Sequence, residues 1–260
     1  MRRRDFLVST LVAAVAAAAR PVGFSGLQQG RATRKILIAG GGFGTPFIRY
    51  MAELTGKTRP KLLYLPTASA DSATSTLSWY RSCAPLNVEP SDQASFIAST
   101  RQDRSWEEVL LGVDGIVCSG GNTLNQQAIW KAQGIDLVLC QAWDRGIVLG
   151  GASAGSLCWF EEGTTDSRPK DLTIVHGLGL LKGSHSPHYD AEKDRRPLYQ
   201  KLIGSGQLKP GYACDDNAGI YFEDNDVTRV VASRAGAKAY YVSVVNGKVA
   251  ERVLEPEMIS

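Results

Sequence analysis

The segment GIVLGGASAG, residues 146–155, carries the pattern from which the fold of this 260-residue chain is predicted. Its first half is almost continuously apolar, which is typical of a strand in a parallel sheet covered on both faces. Its second half consists of small residues and is a predicted turn, and a helix is expected to follow over 154–160. A strand that runs through a turn into a helix is the building unit of an α/β protein.

Four apolar runs upstream of this segment predict further strands of the same sheet. They are KILIA from Lys35, KLLYLP from Lys61, ASFIAS from Ala94 and DGIVCSG from Asp114. Segments of helical period lie between them and predict helices over 47–54, 75–81, 106–111 and 122–142, the last broken near Gly134. The alternation predicts an α/β fold with a mostly parallel, doubly wound sheet and helices on both faces.

The pattern changes after Tyr212, where β-type runs alternate with turns. The pair Asn246-Gly247 between two such runs is a strong hairpin signal. A small antiparallel extension is therefore predicted to close one edge of the sheet, and residues 35–260 are predicted to form a single domain.

The first nineteen residues differ in composition from the rest of the chain. A basic start leads into an apolar stretch that is too short to span a bilayer and ends at an expected Ala17-x-Ala19 cleavage site. The run Arg3-Arg4-Asp5-Phe6-Leu7 resembles a twin-arginine signal. Residues 1–19 are therefore predicted to be an export signal for the twin-arginine translocation machinery, giving a periplasmic or extracellular protein without a stable membrane anchor. An ordinary secretory signal is the alternative, and residues 20–34 are predicted to be a flexible lead.

Charge and cysteine usage bear on the class of function. Loss of residues 1–19 removes three arginines and one aspartate, a net +2, and lowers the formal charge from +3 to +1. A near-neutral protein gives no reason to expect nucleic acid as a partner. The five cysteines are scattered and mostly lie in apolar runs, which favours buried thiols over disulfides or a metal site. No cofactor is expected.

The turn Gly151-Ala152-Ser153-Ala154-Gly155 has the features of a nucleophile elbow. Small neighbours permit the strained backbone that leaves a serine Oγ exposed, and the N–H of Ala154 is expected to point at a developing oxyanion. Ser153 is therefore the candidate nucleophile of a serine hydrolase. The alternative is a small-residue turn that serves only the close packing of a helix on a strand.

A second glycine-rich turn, Ser119-Gly120-Gly121-Asn122-Thr123, also lies between a predicted strand and a predicted helix. Its backbone N–H groups are expected at the same carboxyl edge of the sheet as Ser153. The N–H of Gly121 is the candidate second oxyanion donor, and Asn122 is a candidate substrate-binding residue. The cluster 40–44, GGGFG, lacks the features of a dinucleotide fingerprint and is predicted to be a tight turn at the edge of the site.

A serine nucleophile needs a base, and the chain has three histidines. His176 lies in an apolar context that favours a structural role, which leaves His185 and His188 in the segment SHSPHYD. Their spacing predicts no metal site, since no third histidine or cysteine accompanies them. Three carboxylates between nucleophile and base are candidates for orienting the imidazole: Asp166, Glu161 and Glu162.

Five motifs in order resemble the peptidase E or aspartyl dipeptidase family of serine peptidases: SGGNT, GGASAGSLCWF, GTTDS, GLGLL and SPHYD. The resemblance covers roughly residues 35–222. It implies a flavodoxin-like sheet related to the class I glutamine amidotransferases, with the nucleophile at Ser153. It also implies that the base is His188, which follows a proline, and that the acidic member is Asp166, with Glu162 in reserve.

The resemblance also implies a substrate. The family cleaves dipeptides or short peptides with an N-terminal aspartate, and relatives carry an arginine for that side chain where this chain has Arg195-Arg196. A solvated helix start is the alternative interpretation of this pair. Two rival functions stay open: cleavage of β-linked aspartyl-arginine, as in the similar cyanophycinases, and non-catalytic peptide binding by an exported protein on the same scaffold.

Overall fold

Five parallel strands form one side of an eight-stranded sheet in the computed structural model, which describes residues 32–97 and 102–260. In space they follow the order β1-β5-β4-β2-β3. Their ranges are β1 Lys35–Ala39, β2 Lys61–Leu65, β3 Glu89–Asp92, β4 Gly115–Cys118 and β5 Val148–Ala152. This arrangement confirms the predicted α/β class with a mostly parallel, flavodoxin-like sheet.

Helices cover both faces of this sheet. They are α1 Thr45–Leu54, α2 Ala73–Cys83, α3 Trp106–Leu110, α4 Thr123–Gln133, α5 Ile135–Asp144, α6 Ala154–Leu157 and α7 Arg195–Gly204. Alternate side chains of a strand point to opposite faces. On β1, Ile36 and Ile38 therefore share a core with α3, α4 and α5, whereas Leu37 and Ala39 share one with α1 and α2.

The C-terminal half adds more β-structure than the sequence predicts. Three strands extend the main sheet beyond β1, with β10 antiparallel to it: β10 Ala218–Glu223, β11 Asp226–Ala232 and β14 Glu257–Met258. Six others form a second sheet, in the order β13-β12-β9-β8-β6-β7. Their ranges are β6 Phe160–Thr165, β7 Thr173–His176, β8 Leu181–Ser186, β9 Gly211–Cys214, β12 Ala239–Val245 and β13 Lys248–Leu254.

The turn between β12 and β13 is the predicted hairpin at Asn246-Gly247. Both residues have positive φ, 51° and 73°, as a two-residue type I′ turn requires. The predicted break near Gly134 is also confirmed, because this residue ends α4 in the left-handed conformation, with φ 73°.

Two predictions of secondary structure are wrong: one strand is absent where it was predicted, and one helix ends earlier than predicted. The residues from Ala94 to Ile97 form no strand, because the backbone N–H groups of residues 95–97 donate to the carboxylate of Asp71 instead of to a neighbouring strand. The edge strand lies earlier, at Glu89–Asp92. The helix after the elbow ends at Leu157, and Phe160 already belongs to β6.

The predicted export signal at 1–19 and most of the predicted lead 20–34 lie outside the described residues, so both stay predictions. The described end of the lead is anchored: the Arg34 guanidinium pairs with Asp224 and lies 4.1 Å from the centroid of the Trp143 ring. No helix within 32–97 and 102–260 has both the length and the apolarity needed to cross a bilayer.

Candidate active site

Ser153 lies between β5 and α6 in a strained backbone conformation, with φ 58° and ψ −121°. The glycines on either side are required by close backbone contacts. A Cβ on Gly151 would lie 2.4 Å from the carbonyl oxygen of Cys118 at the end of β4, and one on Gly155 would lie 2.0 Å from it. The strand, turn and helix context of the predicted elbow is therefore present, with Ser153 partly exposed.

Backbone groups around Ser153 are arranged as the elbow interpretation expects. Its own N–H donates to the carbonyl oxygens of Ala39 and Gly40, at 3.3 and 3.2 Å. A Cβ on Gly120 would lie 3.3 Å from Ser153 Cβ and 3.8 Å from Oγ, so the second glycine turn faces the serine through Gly120. The N–H groups of Gly120, Gly121 and Ala154 donate to no acceptor in the described part of the chain and are available to an oxyanion.

His188 forms a hydrogen bond with a carboxylate that the sequence did not single out. Its Nδ1 lies 2.7 Å from Oδ1 of Asp216, and its Nε2 has no partner among the described residues. His188 follows β8, whereas Asp216 follows β9, and these two strands are parallel neighbours with Ser186 opposite Ala213. Because parallel strands end at the same edge of a sheet, the two side chains meet there.

The turn after β1 contacts both Ser153 and the His188–Asp216 pair. Gly41 pairs with Asp216 in an isolated bridge and accepts a hydrogen bond from the N–H of Asn217 at 2.7 Å. A Cβ on Gly41 would lie 2.1 Å from Asp216 Oδ1 and 2.8 Å from His188 Cε1. Since Gly40 accepts from Ser153 N–H, the nucleophile and the His188–Asp216 pair flank one turn, and this places the glycine cluster at the predicted edge of the site.

The expected contact between Asp166 and His188 is not present, and this prediction is corrected. The exposed Asp166 carboxylate lies 3.8 Å from the guanidinium of Arg195. The two reserve candidates are also engaged elsewhere, because Glu161 accepts from the N–H of Gly183 and Glu162 accepts from the N–H of Lys209. The signal for Asp216 in the sequence is the acidic pair 215–216 directly after the apolar run GYAC.

Two further groups hold Asp216 in place. Oδ1 of Asp190 accepts a hydrogen bond from Asp216 N–H at 2.8 Å, and Arg234 donates both to Asp190 Oδ2 and to the Asp216 carbonyl oxygen. The charged hydrogen bonds thus fix the backbone that carries the carboxylate.

His185 is fully buried and contacts the helix that follows the elbow. Its Nδ1 lies 3.1 Å from the carbonyl oxygen of Tyr212, and its Nε2 lies 3.0 Å from Ser156 Oγ, which also contacts the Ser153 carbonyl oxygen at 2.8 Å. Loss of hydration lowers the pKa of His185 to about 3, so its imidazole is neutral at physiological pH. Groups of three or more His, Cys, Asp or Glu side chains that could hold a metal ion do not occur among the described residues.

His176 does not have the structural environment that its apolar sequence context predicts. Its side chain is 77% exposed, and its closest carboxylate, Glu162, lies 3.9 Å away. It takes no part in the site around Ser153.

The three predicted substrate-binding side chains are committed to contacts within the protein. Arg195 is 2% exposed, and its guanidinium donates to Glu192 and to the carbonyl oxygen of Thr164. Arg196 pairs with Glu251 and lies over the rings of Tyr189 and Tyr240. Asn122 caps α4 through its Oδ1 and donates its Nδ2 to the carbonyl oxygen of Ser167. These contacts lessen their availability, and substrate binding by these residues stays a prediction.

A cavity of about 400 Å³ opens beside Ser153. Its floor includes the end of β4, and one wall is the pair Tyr64 and Trp79, whose rings stack with centroids 5.4 Å apart. Burial raises the pKa of Tyr64 to about 12, so its hydroxyl is neutral. The cavity is lined by the following residues: Gly42, Phe43, Gly44, Tyr64, Ser75, Ser78, Trp79, Ser82, Val117, Cys118, Ser119, Gly120, Ala152 and Ser153.

Comparison with known proteins finds similarity over most of the chain. The model of peptidase family S51 matches residues 36–230. The chain is 40% identical over 221 residues to the uncharacterized peptidase YgaJ of Bacillus subtilis (strain 168), covering 83% of this chain and 94% of the relative.

Two solved structures share the fold at low sequence identity. A peptidase from an acI-B1 Actinobacterium has a TM-score of 0.67 at 15% identity, over 89% of this chain and 98% of its own. A putative peptidase E protein from Listeria monocytogenes EGD-e has a TM-score of 0.53 at 16% identity, over 86% and 100%.

Proposed function

Because the chain belongs to peptidase family S51, we propose that it is a serine peptidase in which Ser153 is the nucleophile and His188 the general base. The observation that carries this proposal is the hydrogen bond of 2.7 Å between His188 Nδ1 and Asp216, at the same turn as the strained Ser153. A carboxylate on Nδ1 sets the tautomer in which Nε2 is free to accept a proton.

The proposed reaction runs through an acyl-enzyme. His188 Nε2 takes the proton of Ser153 Oγ as this oxygen attacks the peptide carbonyl, and the N–H groups of Ala154 and of the turn 120–121 stabilise the oxyanion. The imidazolium then gives its proton to the leaving amine as the C–N bond breaks. Water, deprotonated by His188, attacks the acyl-enzyme and releases the acid together with free Ser153.

Short peptides are the proposed substrates. The resemblance to aspartyl dipeptidases supports this size class, and the cavity of about 400 Å³ beside Ser153 has a volume that suits a small ligand. An N-terminal aspartate has weaker support, since Arg195 and Arg196 are held by Glu192 and Glu251. Cleavage of β-linked aspartyl-arginine is the alternative reaction on the same residues.

A fluorophosphonate probe tests catalysis directly. We expect the wild-type protein to be labelled on Ser153, S153A to be unlabelled and H188A to be labelled far more slowly, because the serine loses its base. The matched control is S205A, which removes an exposed serine at the end of α7 and is expected to label like the wild type.

A binding protein without turnover predicts the opposite result. Absence of labelling in the wild type, or labelling that persists in S153A, would contradict the proposed mechanism. Where labelling occurs, peptide mass mapping of the adduct identifies the modified residue.

A further inference from the structure

The position of the cavity relative to His188 indicates which side of the proposed scissile bond it serves. The imidazole of His188 protonates the leaving amine, so the leaving group must lie next to His188 and Gly41. The cavity is lined by Ser119 and Gly120, on the side of the oxyanion donors, and by residues 42–44 after the turn, whereas neither Gly41 nor His188 is among its lining residues. It is therefore positioned to receive the side chain that precedes the scissile bond.

The lining of this cavity carries no charge. Its polar groups in the described part of the chain are the hydroxyls of Tyr64 and of the serines at 75, 78, 82, 119 and 153, together with backbone groups. Its apolar surface comes from the stacked Tyr64 and Trp79, from Phe43, and from the strand ends at residues 117–118 and 152. Flat aromatic walls with scattered hydroxyls suit an apolar or aromatic side chain.

No Lys or Arg is among the described lining residues of the cavity, and neither arginine predicted to meet an acidic side chain is free to move there. Arg195 is buried against Glu192, Arg196 is paired with Glu251, and Arg234 is paired with Asp190. A carboxylate that enters an uncharged cavity loses part of its hydration and gains no counterion, which disfavours its binding.

We propose that this cavity is the specificity pocket of the enzyme and that it selects an uncharged, preferentially aromatic or large apolar residue before the scissile bond, and discriminates against aspartate. The inference rests on the proposed peptidase function, because it needs an acyl group on Ser153. It assigns substrate discrimination to Tyr64 and Trp79 rather than to Arg195 or Arg196.

A panel of four dipeptides tests the inference on the purified full chain. The substrates are Phe-Leu, Leu-Leu, Asn-Leu and Asp-Leu, with cleavage followed by mass spectrometry. Asn-Leu and Asp-Leu form the matched pair, since they have nearly the same shape and differ in charge. We expect kcat/KM to be highest for Phe-Leu or Leu-Leu, and to be about tenfold or more higher for Asn-Leu than for Asp-Leu.

Two variants place a cation at the pocket and test the cause of this discrimination. Ser78 is exposed and lines the cavity, so S78R is expected to move the kcat/KM ratio of Asp-Leu to Asn-Leu upward by about tenfold. Thr74 is exposed on the same helix but does not line the cavity, and T74R is expected to leave this ratio unchanged. S82R is the second pocket variant should S78R fold poorly.

The outcomes separate the two proposals. Three results, each obtained with fluorophosphonate labelling of Ser153, overturn the specificity assignment and leave the peptidase function standing. They are a preference for Asp-Leu over Asn-Leu, equal rates for these two dipeptides, and cleavage of none of the four dipeptides. A chain that neither labels nor cleaves any dipeptide overturns both. A ratio that T74R changes as much as S78R and S82R do also overturns the assignment, because the effect would then not depend on the pocket.

Discussion

At the scale of single residues, the backbone of Ser153 is the most informative feature. Its φ of 58° with ψ of −121° is a region that non-glycine residues rarely adopt, and such a conformation costs of order 1–3 kcal/mol. Two hydrogen bonds from its N–H to residues 39 and 40 hold it there. Strain kept in place at a partly exposed serine is what a nucleophile elbow requires, and close packing alone does not explain it.

The carboxylate on His188 gives a prediction at this scale. D216N removes the charge that orients the imidazole and stabilises the imidazolium, and kcat is expected to fall by roughly 10³ to 10⁴. D166N is the matched control, since Asp166 is exposed and contacts Arg195 rather than His188; its kcat should stay near the wild-type value. Steady-state kinetics with the most rapidly cleaved dipeptide measure these kcat values. Equal losses of kcat in D216N and D166N would refute the assignment of Asp216 as the carboxylate that orients His188.

At the scale of elements, the site is made by the ends of strands. Ser153 follows β5, and His188 and Asp216 follow the parallel neighbours β8 and β9. The turn after β1 lies between them, with Gly41 packed against the imidazole and the carboxylate. A contact between elements, rather than the conformational freedom of glycine, therefore explains why residue 41 has no side chain.

G41A tests this contact. An added Cβ at 2.1 Å from Asp216 Oδ1 has to displace the carboxylate or the strand end, and kcat is expected to fall by about 10²-fold. The control is the same change in the D216N background, where most of the loss should disappear since the dyad is already broken. Additive losses in this double-mutant cycle would mean that Gly41 acts through something other than the dyad.

The elements themselves were largely predictable because their signals are local. Four of the five predicted central strands, the break at Gly134 and the hairpin at Asn246-Gly247 follow from apolar period and turn chemistry. The absence of the predicted strand from Ala94 was not predictable from local signals. The carboxylate of Asp71, a residue distant in sequence, accepts the hydrogen bonds from the N–H groups that a strand ladder would need.

At the scale of the whole molecule, the site joins two sheets. The main sheet carries Ser153 and the second sheet carries His188 and Asp216. His185 supports the same junction, because β8 places it between Tyr212 of β9 and Ser156 of α6. Activity and folding stability should therefore respond together to changes at this junction.

The buried imidazole of His185 gives a prediction for stability against pH. Its pKa is about 3 in the folded protein against 6.5 in the unfolded chain, so between these values the unfolded state binds the extra proton and stability falls as pH falls. For this residue alone the loss from pH 7 to pH 5 is about 2 kcal/mol. Urea unfolding of the wild type and of H185N, which keeps a donor for the Tyr212 carbonyl, should show this difference in pH dependence. Parallel curves for the two proteins would contradict it.

The sequence by itself determined the α/β class, the position of the elbow at Ser153 and the choice among a few histidines, because each depends on residues that are neighbours along the chain. Only the tertiary structure decided that Asp216 meets His188, that Asp166 faces Arg195, and that both candidate arginines are already paired. These outcomes depend on which strands lie side by side and on which charged side chains the fold brings within contact distance. Apart from the local pair of Arg195 with Glu192, these contacts join residues far apart along the chain, up to 55 positions for Arg196 and Glu251, and local sequence patterns do not predict them.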